Sequence, residues 1–266
     1  MATWQPDPSF YPSPRQAAKA PPEKLAYVAA FDPARKAGDA IATVDVDPQS
    51  PSYSQIVGTL TMPNAGDEFH HFGWNACSSC LCPNAPHPHV ERRYLVVPGL
   101  RSSRIYILDT KPDPRKPTVV KTIEPEELAE KTGYTRPHTV HCGPGGIYVT
   151  ALGNAEGKAP GGIFVMDHES FEPLGRWEVD RGPQQLAYDA WWHLGHDIMV
   201  TSEWARPTHS RTASFPRSCS AANTAAVCTF GISRGASTCR RSTSARSTSW
   251  CSSCAPPMIR PRPMAS

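Results

Sequence analysis

The sequence predicts an all-β protein, and within that class a β-propeller. Three observations carry this. Short runs rich in Val, Ile, Tyr and Thr follow one another along the chain, each bounded by turn residues. Only one stretch, PEELAEKTG (125–133), reads as a helix. An apolar strand ending in Asp recurs as VDVD (44–47), YILD (106–109) and FVMD (164–167), with its aspartates 62 and 58 residues apart. A unit of that length holds about four short strands, the content of a propeller blade. One blade cannot bury both of its faces, so such units stack around a ring. A β-sandwich accommodates the strands but leaves the repeat unexplained.

Taken in order, residues 1–24 are polar and proline-rich and predict an extended arm. LAYVAAF (25–31) is the first strand, followed by AIATVDVD (40–47) and SQIVGTLTM (54–62). RYLVVPGL (93–100), RIYILDT (104–110) and TVVKTIE (118–124) form the next group. The helix follows, with Gly133 as its stop. HTVHCG (138–143), GIYVTAL (146–152), GIFVMDH (162–168), LGRWEV (174–179) and DIMVTSEW (197–204) continue the strands. GPGG (143–146) and APGG (159–162) lack the spacing of a phosphate loop and read as tight turns. No GxSxG signature of a serine hydrolase occurs.

The 266 residues are ample for a hydrophobic core. A net charge of +3 makes no case for nucleic acid or a membrane surface as partner. No apolar run approaches the ~20 residues of a membrane span, and the N-terminus has no signal-peptide pattern. These features predict a cytoplasmic protein with reduced thiols. Nine cysteines are many for that setting.

Candidate chemistry concentrates in DEFHHFGWNACSSCLC (67–82) and HTVHC (138–142). His70 and His71 are neighbours, which on a strand face opposite ways but in a loop can turn together. His138 and His141 lie three apart around a turn. Imidazoles from two such loops suit copper or zinc. Cys77 and Cys80 form a CxxC able to bind a soft metal or cycle through a disulfide. With Cys82, His87 and His89 they allow a structural zinc site, although the second CxxC of a zinc ribbon is missing from the residues up to Trp204. His193 and His196 offer a third loop or core packing beside Trp191 and Trp192. His87, His89, His168 and His209 read as surface residues, and Trp74, Trp177 and Trp204 as packing.

The composition breaks after Trp204. Beyond Glu203 there is no Asp, Glu, Lys, Leu, Tyr or Gln, while Arg, Ser, Thr, Ala, Pro and five of the nine cysteines crowd in. A natural basic tail would keep lysines. A reading-frame shift explains the break: with one G lost after the Trp204 codon, allowed codons read in the neighbouring frame give EVLLGSKYGRRLHFWDL. That segment regains acids, leucines and a fourth strand ending in Asp. On this reading 205–266 is an out-of-frame, disordered tail, and Cys251-Ser-Ser-Cys254 repeats Cys77-Ser-Ser-Cys80 by accident.

DEFHHFGWNACSSC, SSRIYILD, HTVHC and HDIMVTSEW resemble the selenium-binding protein family, which includes the methanethiol oxidases. The likeness runs from about residue 24 to 204. It implies a seven-bladed propeller, of which 25–204 would be an incomplete portion of about four blades. It also implies a copper-dependent oxidase acting on methanethiol, a small thiol, with O2 and water. The products are formaldehyde, hydrogen sulfide and hydrogen peroxide. The family's motif histidines fall on His70, His71, His138 and His141 as copper ligands, and its CSSC on Cys77 and Cys80 as a site for selenium or a soft metal. Ser54 stands where vertebrate members carry a selenium-linked cysteine. Without the family's C-terminal half the ring is expected to stay open, with exposed strand edges and no thiol turnover.

Overall fold

The computed structural model describes residues 19, 21–76, 90–143, 145–179, 184–193, 198–203, 227–232 and 238–243. Four antiparallel sheets follow one another along the chain, and within each, strands adjacent in sequence are adjacent in space. The first contains β1 (Leu25–Ala30), β2 (Gly38–Asp45) and β3 (Ile56–Ala65). The second contains β4 (Gly73–Trp74), β5 (Tyr94–Pro98), β6 (Ile105–Asp109) and β7 (Thr118–Ile123). Helix α1 (Pro125–Thr132) leads into the third, β8 (Tyr134–Gly143), β9 (Gly146–Asn154), β10 (Gly162–Met166) and β11 (Pro173–Arg176). The fourth contains β12 (Asp189–His193), β13 (Ile198–Glu203), β14 (Val227–Ile232) and β15 (Thr238–Thr243).

The strands read as unbroken apolar runs because both faces of the middle sheets are covered. On β6, Tyr106 and Leu108 face the first sheet in a cluster with Ile41, Met62 and Phe69. The alternate residues Ile105 and Ile107 face the third sheet in a cluster with Val149 and Phe164. On β10 the same alternation turns Phe164 and Met166 to that cluster and Ile163 toward Ala187, Ala190 and Met199. The sheets therefore stack face to face in chain order. Their first strands meet as well: β8 packs against both β4 and β12.

The repeated aspartates have one job. Asp47, Asp109 and Asp167 each accept the backbone N–H two residues on, from Gln49, Lys111 and Glu169, at 3.0 Å in every case. This Asx turn starts the connection to the last strand of each sheet. Helix α1 also follows the sequence: Pro125 opens it, Glu126 and Glu127 sit in its first turn, and Lys131 in its last. Gly133 ends it in the left-handed region (φ 68°), donating to the Ala129 carbonyl at 2.8 Å.

Two strands before residue 204 escape the sequence reading. β4 is two residues long and includes a glycine, so only its pairing with Val96 and Leu95 reveals it. β12 covers DAWWH, read above as a loop or core packing. The segment 205–266, expected to be disordered, supplies β14 and β15. Strand β14, VCTFGI, is rich in β-branched and aromatic residues and pairs with β13 from Ile198↔Ile232 to Glu203↔Val227. The expected arm 1–24 lies almost wholly outside the described residues. No helix among the described residues is long and apolar enough to cross a membrane.

Candidate metal centre

The loop entering β4 is held from below by buried acids. Asp39 on β2 accepts the backbone N–H of Phe69 at 3.0 Å. Asp67, fully buried, accepts from Arg104 Nη1 at 3.1 Å and from the Tyr106 hydroxyl at 2.9 Å. The carbonyls of Asp67 and Glu68 accept the N–H groups of Arg101 and Leu100. Phe69 is buried and meets the Tyr106 ring edge-on at 5.8 Å. These ties fix Glu68 in the left-handed region (φ 66°), which costs a non-glycine residue on the order of 1 kcal/mol. His70 and His71, which follow Phe69, are thereby brought against β8.

The remaining motif residues lock this approach. A Cβ on Gly73 would sit 2.7 Å from the Val140 carbonyl oxygen of β8, so only glycine lets the two strands come this close. Asn75 has both ends satisfied: its amide donates to the Glu91 and His168 carbonyls, and its oxygen accepts from the N–H groups of Arg93 and Tyr94. Trp74 is a packing residue, under the Arg92 guanidinium and edge-on to Tyr27. Trp177 likewise packs on Tyr148. Gly73→Ala is expected to lower stability by about 1–3 kcal/mol by overpacking this junction, measured as a shift in the urea midpoint.

On β8 the run HTVHCG is a strand, as its residues predict, and the turn expected between His138 and His141 is absent from it. Pairing with β9 shifts register between Pro137↔Ala151 and Val140↔Val149, so one extra residue sits on β8. Because Pro137 and Val140 pair with Ala151 and Val149 on one face of β9, this bulge leaves His138 and His141 together on the other face. In a regular strand residues three apart would face opposite sides.

The rings converge around His138, which is 1% exposed. Its centroid lies 4.4 Å from His71, 5.9 Å from His70 and 4.3 Å from Tyr188. Its Nδ1 is 2.9 Å from both the Tyr188 carbonyl and the Thr139 hydroxyl oxygen, and the hydroxyls of Thr139 and Thr150 donate to that same carbonyl. A carbonyl only accepts, so Nδ1 carries the proton and Nε2 keeps its lone pair. Burial, reinforced by His71, pushes the His138 pKa down to about 3. Burial likewise lowers that of His71. Both rings are therefore neutral near pH 7, the form that binds metals.

Two carboxylates flank the cluster. Glu68 pairs with Arg101 and with His70 Nε2 at 3.2 Å. Burial raises the Glu68 carboxyl, but these partners together hold it below the usual range. Asp189, the first residue of β12, lies 3.2 Å from His141 Nε2 and accepts the Ala190 N–H at 2.7 Å. Burial raises its carboxyl too, and the His141 bond and that N–H outweigh it.

Imidazole donors suit copper or zinc. Among the described residues, however, no three His, Cys, Asp or Glu side chains come together in a way that could hold a metal ion. The donor chemistry fits, and the closest pair is His71 with His138. Thus His70, His71 and His138 are brought together, and His141 joins them on the β8 face beside Asp189. Cys77, Cys80, Cys82, His87, His89, His196, Trp204 and His209 lie outside the described residues, as does the side chain of His193. His168, read as a surface residue, is partly buried, with its carbonyl on Asn75. Ser54 is exposed in the β2–β3 turn. The sequence reading missed Glu68, Tyr188 and Asp189. The acid two residues before His70 was a visible signal; the other two have no spacing cue.

Stacked antiparallel sheets with a histidine cluster around the buried His138, drawn from β8 and the loop entering β4, define an all-β protein with a candidate metal centre. The chain belongs to the 56kDa selenium binding protein family, whose profile matches residues 4–223. It is 45% identical over 202 residues to a methanethiol oxidase of Xenopus laevis, covering 74% of this chain and 42% of that protein. It is 44% identical over 200 residues to selenium-binding protein 1 of Arabidopsis thaliana, covering 74% of this chain and 40% of that one. The crystal structure of a hypothetical selenium-binding protein from Sulfolobus tokodaii superposes with a TM-score of 0.80 at 53% identity, over 89% of this chain and 52% of that chain. The chain thus spans less than half the length of these two curated relatives.

Proposed function

We propose that these residues build the metal site of a methanethiol oxidase, with the four stacked sheets as blades of a β-propeller. The observation that carries this is the neutral His71–His138 pair, rings 4.4 Å apart, with His138 buried and His71 half-buried, and with His70 and His141 beside it. These four side chains would hold copper, which when bound supplies an electron path between a thiol and O2. The proposed reaction is balanced. Methanethiol and water give formaldehyde and hydrogen sulfide with release of two electrons and two protons, and O2 takes these up as hydrogen peroxide.

The chain's own residues prepare the site. Burial keeps His138 uncharged, so an arriving cation meets a lone pair and not a like charge. The Tyr188 carbonyl fixes which nitrogen that is. The Tyr188 ring covers His138 and limits water on that side.

The chain covers about two fifths of a methanethiol oxidase relative. Turnover is therefore proposed for the whole family protein, and metal and thiol capture for these 266 residues. The test is to load the chain with copper and add methanethiol anaerobically. A change in the copper absorption or EPR spectrum is expected. An unchanged spectrum would contradict thiol capture, and peroxide release in air would overturn the absence of turnover. A second reading, selenium or a soft metal held by Cys77 and Cys80 without turnover, is favoured by the selenium-binding relatives. It predicts that a Cys77→Ser/Cys80→Ser chain loses selenium and keeps copper.

A further inference from the structure

The two outer histidines share a feature that the inner pair lacks. His70 and His141 each present Nε2 to a carboxylate oxygen at 3.2 Å, Glu68 in one case and Asp189 in the other. An ionised carboxylate only accepts hydrogen bonds, so the His141–Asp189 bond places that ring's proton on Nε2, and the His70–Glu68 ion-pair contact favours the same placement on His70. A neutral imidazole with its proton on Nε2 has its lone pair on Nδ1. His138 has the opposite arrangement, with Nδ1 donating to the Tyr188 carbonyl.

The carboxylates are themselves fixed. Glu68 is buried, held at its backbone by the Leu100 N–H and at its side chain by Arg101. Asp189 is anchored by the Ala190 N–H at 2.7 Å. They come from different sheets and flank β8 from its two sides, Glu68 ahead of β4 and Asp189 at the start of β12. Such supporting acceptors orient metal-bound histidines and raise their basicity.

We propose that Glu68 and Asp189 are positioning residues that hold the protons of His70 and His141 on Nε2, so that the lone pair is on Nδ1 in these rings and on Nε2 in His138. The assignment rests on the reading of this cluster as a metal site, but the proton placement can be measured without metal. Long-range 1H–15N NMR on the metal-free, histidine-labelled 266-residue chain should show His70 and His141 as Nε2–H tautomers and His138 as the Nδ1–H tautomer. Asp189→Ala should release the His141 tautomer and weaken copper binding, read by chelator competition, about 10–100-fold. Asp189→Asn keeps an acceptor oxygen and should restore the tautomer and most of the affinity. Glu68→Ala also removes the partner of buried-side Arg101, so the Asp189 variants, with native-like spectral dispersion, carry the test.

An Nδ1–H tautomer for His141 in the parent chain would overturn the proposal. So would an Asp189→Ala chain with unchanged tautomer and affinity. A chain with the stated tautomers that takes up no copper would instead refute the metal reading and leave the proton placement standing.

Discussion

Asp67→Ala is expected to destabilise the chain by about 3 kcal/mol, the lower end of the cost of breaking a buried ion pair. Asp67 is fully buried and meets Arg104 Nη1 and the Tyr106 hydroxyl. Removing it takes away the acceptor of that phenol, whose pKa burial already pushes up to about 12, and leaves it only the Asn64 amide, which donates to it at 3.0 Å. Arg104 keeps Glu124 at 2.9 Å, which is why the upper end of the range is not expected. Asp67→Asn retains an oxygen for Tyr106 and should cost less. Urea unfolding measures both. An unchanged midpoint for Asp67→Ala would remove this residue as the anchor of the histidine loop.

His138→Gln is expected to weaken copper binding by more than about 100-fold, beyond the 10–100-fold that loss of an outer supporting bond costs. Glutamine can still donate to the Tyr188 carbonyl, so the Thr139 and Thr150 contacts to the same oxygen should survive. Stability should therefore change by no more than about 1–2 kcal/mol. Chelator competition reads the affinity and urea unfolding the stability. A large loss of stability with affinity unchanged would make His138 a packing residue, the commoner role of a buried histidine.

Much of the fold is legible because its punctuation is local. The repeat ending in Asp47, Asp109 and Asp167 is visible because each aspartate closes the same turn onto its own backbone. Helix α1 is visible because Pro125 and Gly133 mark its ends. Strand β4 is not, since two residues including a glycine have no period, and its existence depends on β5. The histidine pairs stand out by density alone. That His138 and His141 share a face does not, because it depends on one extra residue opposite β9. Glu68, Tyr188 and Asp189 join the site through contacts across sheets, and sequence spacing does not encode those. The motif residues between the histidines and the CxxC prove structural: Gly73 for close approach and Asn75 as a fully bonded tie.

The central claim is that His70, His71, His138 and His141 form one metal site. X-ray absorption on the copper-loaded 266-residue chain tests it most directly. One copper per chain is expected, with imidazole nitrogen as the dominant scatterer, and that copper should be lost in a His71→Ala/His138→Ala chain. Copper retained in that variant, or bound by sulfur at the distance of a cysteine thiolate, would contradict it and move the site to Cys77 and Cys80.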